Sequence, residues 1–221
     1  MLGVAVLLCS DAPFAAEGPT LPPAEYKPLP VGTTVKYDTW GYTVKKSDGF
    51  KTVIQTIKTN DWLILYGVFV MEGDAARTQG SIFFGELDEQ NRSFVKNLWS
   101  LEVGKKIKLN FNEEWKGTVK RNWQVTLDVL GTELLELNGI QYPTFVVKEH
   151  ASTPSYKGVW SNALLYSALE YSQTFWYHPG SGLILKSSRE WIKEPADGPV
   201  RIGDYSLVSV KFPEGTTTHS L

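Results

Sequence analysis

Cysteine is almost absent from this chain: Cys9 is the only one among 221 residues, and it sits inside the first apolar stretch. With that stretch removed no thiol remains, so disulfides, thiolate nucleophiles and cysteine-ligated zinc are excluded together. Histidine is nearly as scarce. His219 belongs to the polar C-terminal stretch, which leaves His150 and His178 within the folding part of the sequence. Neither has a second metal-type ligand at useful spacing, so no metal and no cofactor are expected. An excess of either charge is missing as well. Twenty-two basic and 24 acidic residues give a net charge of -2, which leaves no footprint for nucleic acid or for an anionic membrane surface. No apolar run reaches the length of a membrane helix, so any membrane contact is expected to be peripheral.

What is present is organised in blocks. MLGVAVLLCSDAPFAAEG carries an apolar run from Leu2 to Leu8, then small residues that allow cleavage after Ala12 or Ala16. Residues 1–16 therefore read as a secretory leader that lacks its positive n-region, as a leader truncated at its start would. A periplasmic or secreted protein is expected, with lipid anchoring at Cys9 weakened by Leu8, where a small residue is wanted. Residues 17–30 hold five prolines between Pro19 and Pro30 and read as an extended linker. A single β domain is expected over 31–213, followed by a polar tail over 214–221.

Inside that domain the dominant period is two. In VKRNWQVTLDV, residues Val119, Arg121, Trp123, Val125, Leu127 and Val129 share one face and polar residues share the other, which is the pattern of a half-buried strand. Asn138-Gly139 predicts a two-residue type I′ hairpin, because both central positions of that turn need positive φ. Further strands are expected at 33–44, 51–58, 62–70, 81–87, 105–111, 171–177, 183–192 and 202–212. The fold class that follows is mainly β: a single antiparallel curled sheet or half-open barrel. One short helix is expected near 160–169, where Trp160, Ala163, Leu164, Ala168 and Tyr171 follow helical spacing.

The histidine that most invites chemistry, His178, stands in TFWYHPGSGLILKSSREW. Tyr171, Gln173, Phe175 and Tyr177 point to one side of a strand, Pro-Gly-Ser-Gly reverses the chain, and Leu183–Trp191 returns. Turn geometry explains the phrase without a ligand, so His178 is read as the end of a hairpin. No G-x-S-x-G elbow supports a hydrolase. The acidic FGELDEQN (84–91) lacks the spacing of a calcium loop and reads as a turn. Glu113-Glu114, in NFNEEWKG, reads as a polar turn too, since neighbours on a strand face opposite sides.

The segments LPVGTTVKYDTWGYTV, LWSLEVGKKIKL, VLGTELLELNGIQYPTFVVKE and TFWYHPGSGLILKSSREW resemble those of uncharacterised bacterial periplasmic or lipoprotein-like β proteins. Those proteins are similar in pattern to half-barrel lipoprotein carriers. The chain departs from the pattern at Ser100, where proline is common, and at Asn138, where alanine precedes the glycine. The resemblance implies envelope location and fold rather than an activity.

Eight Trp, 10 Tyr and 10 Phe remain to be explained. Most such rings fill a core, but inward rings can also line a cavity for an apolar ligand. The candidate ligand contacts are Trp123, Trp160, Leu164, Phe175 and Tyr177, and no catalytic residue is assigned. The expected function is non-catalytic: binding or carrying an apolar, lipid-like envelope component. A glycan-binding or envelope-scaffold module is the alternative, and a hydrolase comes third.

Overall fold

Alternating apolar and polar residues give a strand one face to bury, and most of this chain uses that solution. The protein's structure, a computed structural model, describes residues 18–72, 89–115, 119–154, 156–157, 164–166, 168–194 and 203–215. A first meander comprises β1 (Thr34–Tyr37), β2 (Gly41–Asp48), β3 (Lys51–Thr56), β4 (Trp62–Tyr66) and β5 (Val70–Glu72). After helix α1 (Glu89–Asn97), β6 (Lys106–Trp115), β7 (Val119–Leu137) and β8 (Ile140–Thr153) form a second. A small separate pair, β9 (Tyr156–Lys157) and β10 (Leu164–Tyr166), precedes β11 (Leu169–His178), β12 (Leu183–Lys193) and β13 (Tyr205–Lys211). The large sheet has eleven strands in the order β5-β4-β3-β2-β1-β13-β12-β11-β8-β7-β6, every neighbour antiparallel. It is mainly β and not closed into a barrel.

The sheet curls over its own core. Six strand spacings separate β4 from β11 in that order, about 29 Å if the sheet were flat. Yet the ring of Phe69, in the β4–β5 turn, lies 5.6 Å from Phe175 and 5.8 Å from Tyr177 on β11. On β7 the alternation holds: Trp123, Val125, Leu127 and Val129 are buried, while Asn122 and Gln124 are exposed. At the β7–β8 turn Asn138 has φ 54° and Gly139 φ 79°, the two positive values a type I′ turn requires.

Four expectations need correction. The predicted helix near 160–169 is absent from its described part: Leu164–Tyr166 pairs with Tyr156–Lys157, and Leu169 opens β11. Strand pairing there overrides the helical propensity of Ala and Leu. The helix stands instead at Glu89–Asn97, so Glu89, Gln90 and Asn91 of the acidic stretch start a helix rather than a turn. It was hidden by its polarity, because among the described side chains of the helix Val95 alone is buried, with Leu98 one turn on just past its end. Glu113 and Glu114 lie within β6, paired with Arg121 and Lys120. The 33–44 run is also interrupted, at residues 38–40, into β1 and β2. Residues 81–87 and the leader lie outside the described residues.

Residues 18–30 are extended, as their prolines dictate, and they are seated across the sheet. Thr132 Oγ1 donates to Pro19 O at 2.6 Å, and Ala24 and Leu101 exchange backbone hydrogen bonds of 2.9 and 2.8 Å. Ala24 and Leu29 are buried in the common core.

Candidate functional site

The weakest joint in the sheet is where β13 meets β12, by only two pairs, Lys186 with Ser206 and Ser187 with Tyr205. Beyond them Ile184 O accepts a 3.0 Å hydrogen bond from the Tyr37 hydroxyl, a side chain standing in for a ladder bond. Over this seam lies a partly open cavity of about 30 Å³, room for about one or two waters. Tyr37, Trp40, Tyr42 and Tyr205 form its sheet side, and Tyr26 and Leu29 of the N-terminal strap cover it.

Local sequence explains this placement. Tyr37 and Tyr42 face inward from β1 and β2, and Trp40 stacks on Tyr37 at 5.2 Å from the bend between them. Tyr205 completes the group, 4.7 Å from Tyr37 and 5.8 Å from Trp40. Burial pushes the phenol pKa values of Tyr37, Tyr42 and Tyr205 well up, so all three are neutral hydroxyls. Two hydroxyls of the wall have clear partners: Tyr26 lies 3.2 Å from Thr52 Oγ1, and Tyr37 donates to Ile184 O. The indole Nε1 of Trp40 is buried without a hydrogen-bond partner.

The strap is pinned at the rim. Tyr26 packs edge-on against Phe50 at 5.0 Å and Trp99 at 5.3 Å, and Lys27 Nζ donates to Gly180 O at 2.7 Å. Gly182, φ 74°, lets the strap pass, since a Cβ there would stand 2.7 Å from Lys27 O. The Pro-Gly-Ser-Gly turn is thus shaped by the strap as well as by the hairpin. His178 belongs to that turn: its Nδ1 accepts from the Ser181 amide at 3.2 Å and lies 3.0 Å from Ser181 Oγ. Burial, aided by Lys27, lowers its pKa.

A second polar cluster lies deeper on the inner face. Glu149 on β8 is buried and accepts a 2.5 Å hydrogen bond from the Tyr171 hydroxyl on β11. Arg189 on β12 lies 4.0 Å over the Tyr171 ring and bonds Gln173, which reaches Ser187 at 2.6 Å. Burial raises the Glu149 pKa despite Tyr171 and Arg189. His150 faces outward, 3.1 Å from Glu170. Among the described residues no group of three or more His, Cys, Asp or Glu side chains is placed to hold a metal.

The expected ligand contacts fall elsewhere. Phe175 and Tyr177 lie together on β11 against Phe69, and Trp99 packs on Tyr177 at 5.3 Å. Trp123 is a fully buried residue beside Tyr171, 6.5 Å away. Leu164 is in β10, and Trp160 lies outside the described residues. None of these lines the cavity over the seam. Two of the residues that do, Tyr26 and Leu29, lie in the run read as linker, although apolar residues amid prolines are the signal of a segment that docks.

No family model matches the chain, and no curated protein does. Among solved structures the chain is similar to the hypothetical lipoprotein YmcC from Escherichia coli, at 10% identity over 80% of this chain and 82% of that one, with a TM-score of 0.44. A likeness this loose says nothing about function.

Proposed function

We propose that the protein is a non-catalytic component of the cell envelope that binds an apolar, lipid-like molecule against the inner face of its curled sheet. The observation that supports this reading is the cover over the β12–β13 seam. There the aromatic inner face is closed by the strap rather than by more sheet. A loop laid over a sheet can be plain structural cover, but one laid over an aromatic pocket beside a weak seam suits a binding face. The apolar leader supports the envelope assignment. A cavity of about 30 Å³ takes no acyl chain, so binding requires the cover to move. That filled interior also favours the second reading, an envelope scaffold. The glycan reading draws little support, because Trp62 alone among the described tryptophans is exposed.

The two readings differ in occupancy. Protein purified under mild conditions should release a stoichiometric lipid on organic extraction, and adding that lipid back should change the tryptophan fluorescence. Clean extracts with no spectral response across a range of chain lengths would leave the scaffold reading in place. His178→Ala serves as a control that keeps binding intact, because the ring's hydrogen bonds stay within its own turn.

A further inference from the structure

We infer that the space over the β12–β13 seam is a ligand site gated by residues 18–30, and that it takes an apolar molecule whose polar end is an uncharged hydrogen-bond acceptor. The inference rests on the binding reading above and adds the gate and the ligand's chemistry.

The gate follows from how the strap is held. It contributes one isolated backbone bridge, Ala24 to Leu101, side-chain hydrogen bonds of Thr132 with Pro19, Tyr26 with Thr52 and Lys27 with Gly180, and the packing of Ala24, Tyr26 and Leu29. Releasing it breaks these bonds and uncovers those three side chains, but it leaves every strand pairing of the large sheet intact. Its hinge is marked by Pro28, Pro30 and Gly32, the last at φ 92°. With Tyr26 and Leu29 withdrawn, the face carrying Tyr37, Trp40, Tyr42, Leu65 and Tyr205 is open.

The ligand's chemistry follows from the wall. No lining side chain carries a charge. Lys27 leaves with the strap, while Glu149 and Arg189 lie in the neighbouring cluster and are already engaged by Tyr171 and Gln173. An ionised head group entering here would lose its water without gaining a counter-charge. The Tyr26 and Tyr37 hydroxyls are committed to protein partners. The Trp40 Nε1–H is buried without one, and it can only donate. An ester, amide or ether oxygen suits it.

The test uses the full chain carrying Cys9→Ser, Ala24→Cys and Leu101→Cys. A hydrogen-bonded antiparallel pair has Cα atoms about 5.5 Å apart, within disulfide range, so oxidation locks the strap and reduction frees it. Equilibrium dialysis compares glycerol monododecanoate with dodecanoate at pH 8, below their micellar concentrations. The reduced protein should bind the neutral ester at least about tenfold more tightly than the anion, and oxidation should lower that affinity by about tenfold or more. Trp40→Phe, made in the otherwise native chain, should cut ester binding by about tenfold, the worth of one hydrogen bond, and leave dodecanoate unchanged. Equal binding by the oxidised and reduced forms overturns the gate. Tighter binding of the anion, or no effect of Trp40→Phe, overturns the acceptor. Amide exchange in the native chain reads the gate without ligand: Ala24 and Leu101 should exchange far faster than Val147 of β8, and equal protection sinks the gate even if lipid binds. Failure of the native chain to bind either lipid, with the strap exchanging fast, overturns the binding reading and the acceptor with it.

Discussion

Gly139 and Glu149 show how differently two single positions can be read. Gly139 has φ 79° and open space where a Cβ would sit, so a side chain there meets backbone strain and no clash. Gly139→Val should cost about 1–3 kcal/mol in urea denaturation, and an unchanged midpoint would mean the hairpin tolerates another turn. That turn was legible because its chemistry is local. Glu149 was not: in VVKEH it sits between Lys148 and His150 and looks like part of a solvated run. Strand parity with Val147 and Ala151 turns it inward, and Tyr171 and Arg189, both distant in sequence, make that tolerable. Because burial holds its folded pKa above the ordinary 4.5, the folded protein keeps this proton more tightly than the unfolded chain does. Its contribution is therefore most favourable below the ordinary glutamate range and is lost as pH rises through the raised value. Glu149→Gln retains an acceptor for Tyr171 and removes the titration. The variant should be more stable than the native chain at pH 7.5, with the gap closing toward pH 4. A native chain that is the more stable at pH 7.5 would show that Arg189 outweighs burial.

Strands announced themselves along this chain, whereas the helix and the strap did not, and the reason is physical. A strand with one buried face repeats its signal every second residue, as on β7. Among its described side chains helix α1 buries Val95 alone, with Leu98 just past its end, too few for a period to show, and its polar remainder resembles a loop. Residues 160–169 have the opposite fault, with apolar spacing that fits a helix and pairing at Leu164–Tyr166 that makes a strand. The strap was legible as extended and illegible as docked, because docking depends on a face supplied by strands far away in sequence. For α1 the anchoring falls on Leu98, fully buried. Leu98→Ala should cost about 2–5 kcal/mol, and amide protection over 92–97 should drop more than that of β8. A uniform loss across both would mean that the helix folds and unfolds only with the sheet.

The curl of the sheet is a property of the molecule that no local pattern encodes. Antiparallel pairing accounts for each neighbour, and right-handed twist accounts for some bending, but bringing the β4–β5 turn to β11 needs a filler at the centre of curvature. Phe69 occupies that centre: it touches Phe175 and Tyr177 on β11 and stacks on Trp99, 5.9 Å away. The contacts with β11 join segments separated by more than 100 residues, so they form late and depend on the whole sheet being assembled. Phe69→Ala should cost about 3–5 kcal/mol if the sheet stays curled around the void. If the sheet instead relaxes outward, part of its inner face is already wet in the folded state. The urea dependence of unfolding, which scales with the surface newly exposed, then falls along with the stability. The two outcomes separate cleanly in one denaturation curve. An unchanged slope with a large loss places Phe69 as a core side chain like any other. A shallower slope, accompanied by faster exchange of the strap amides at Ala24 and Leu101, makes it the residue that sets the curvature on which the seam and its cover both depend.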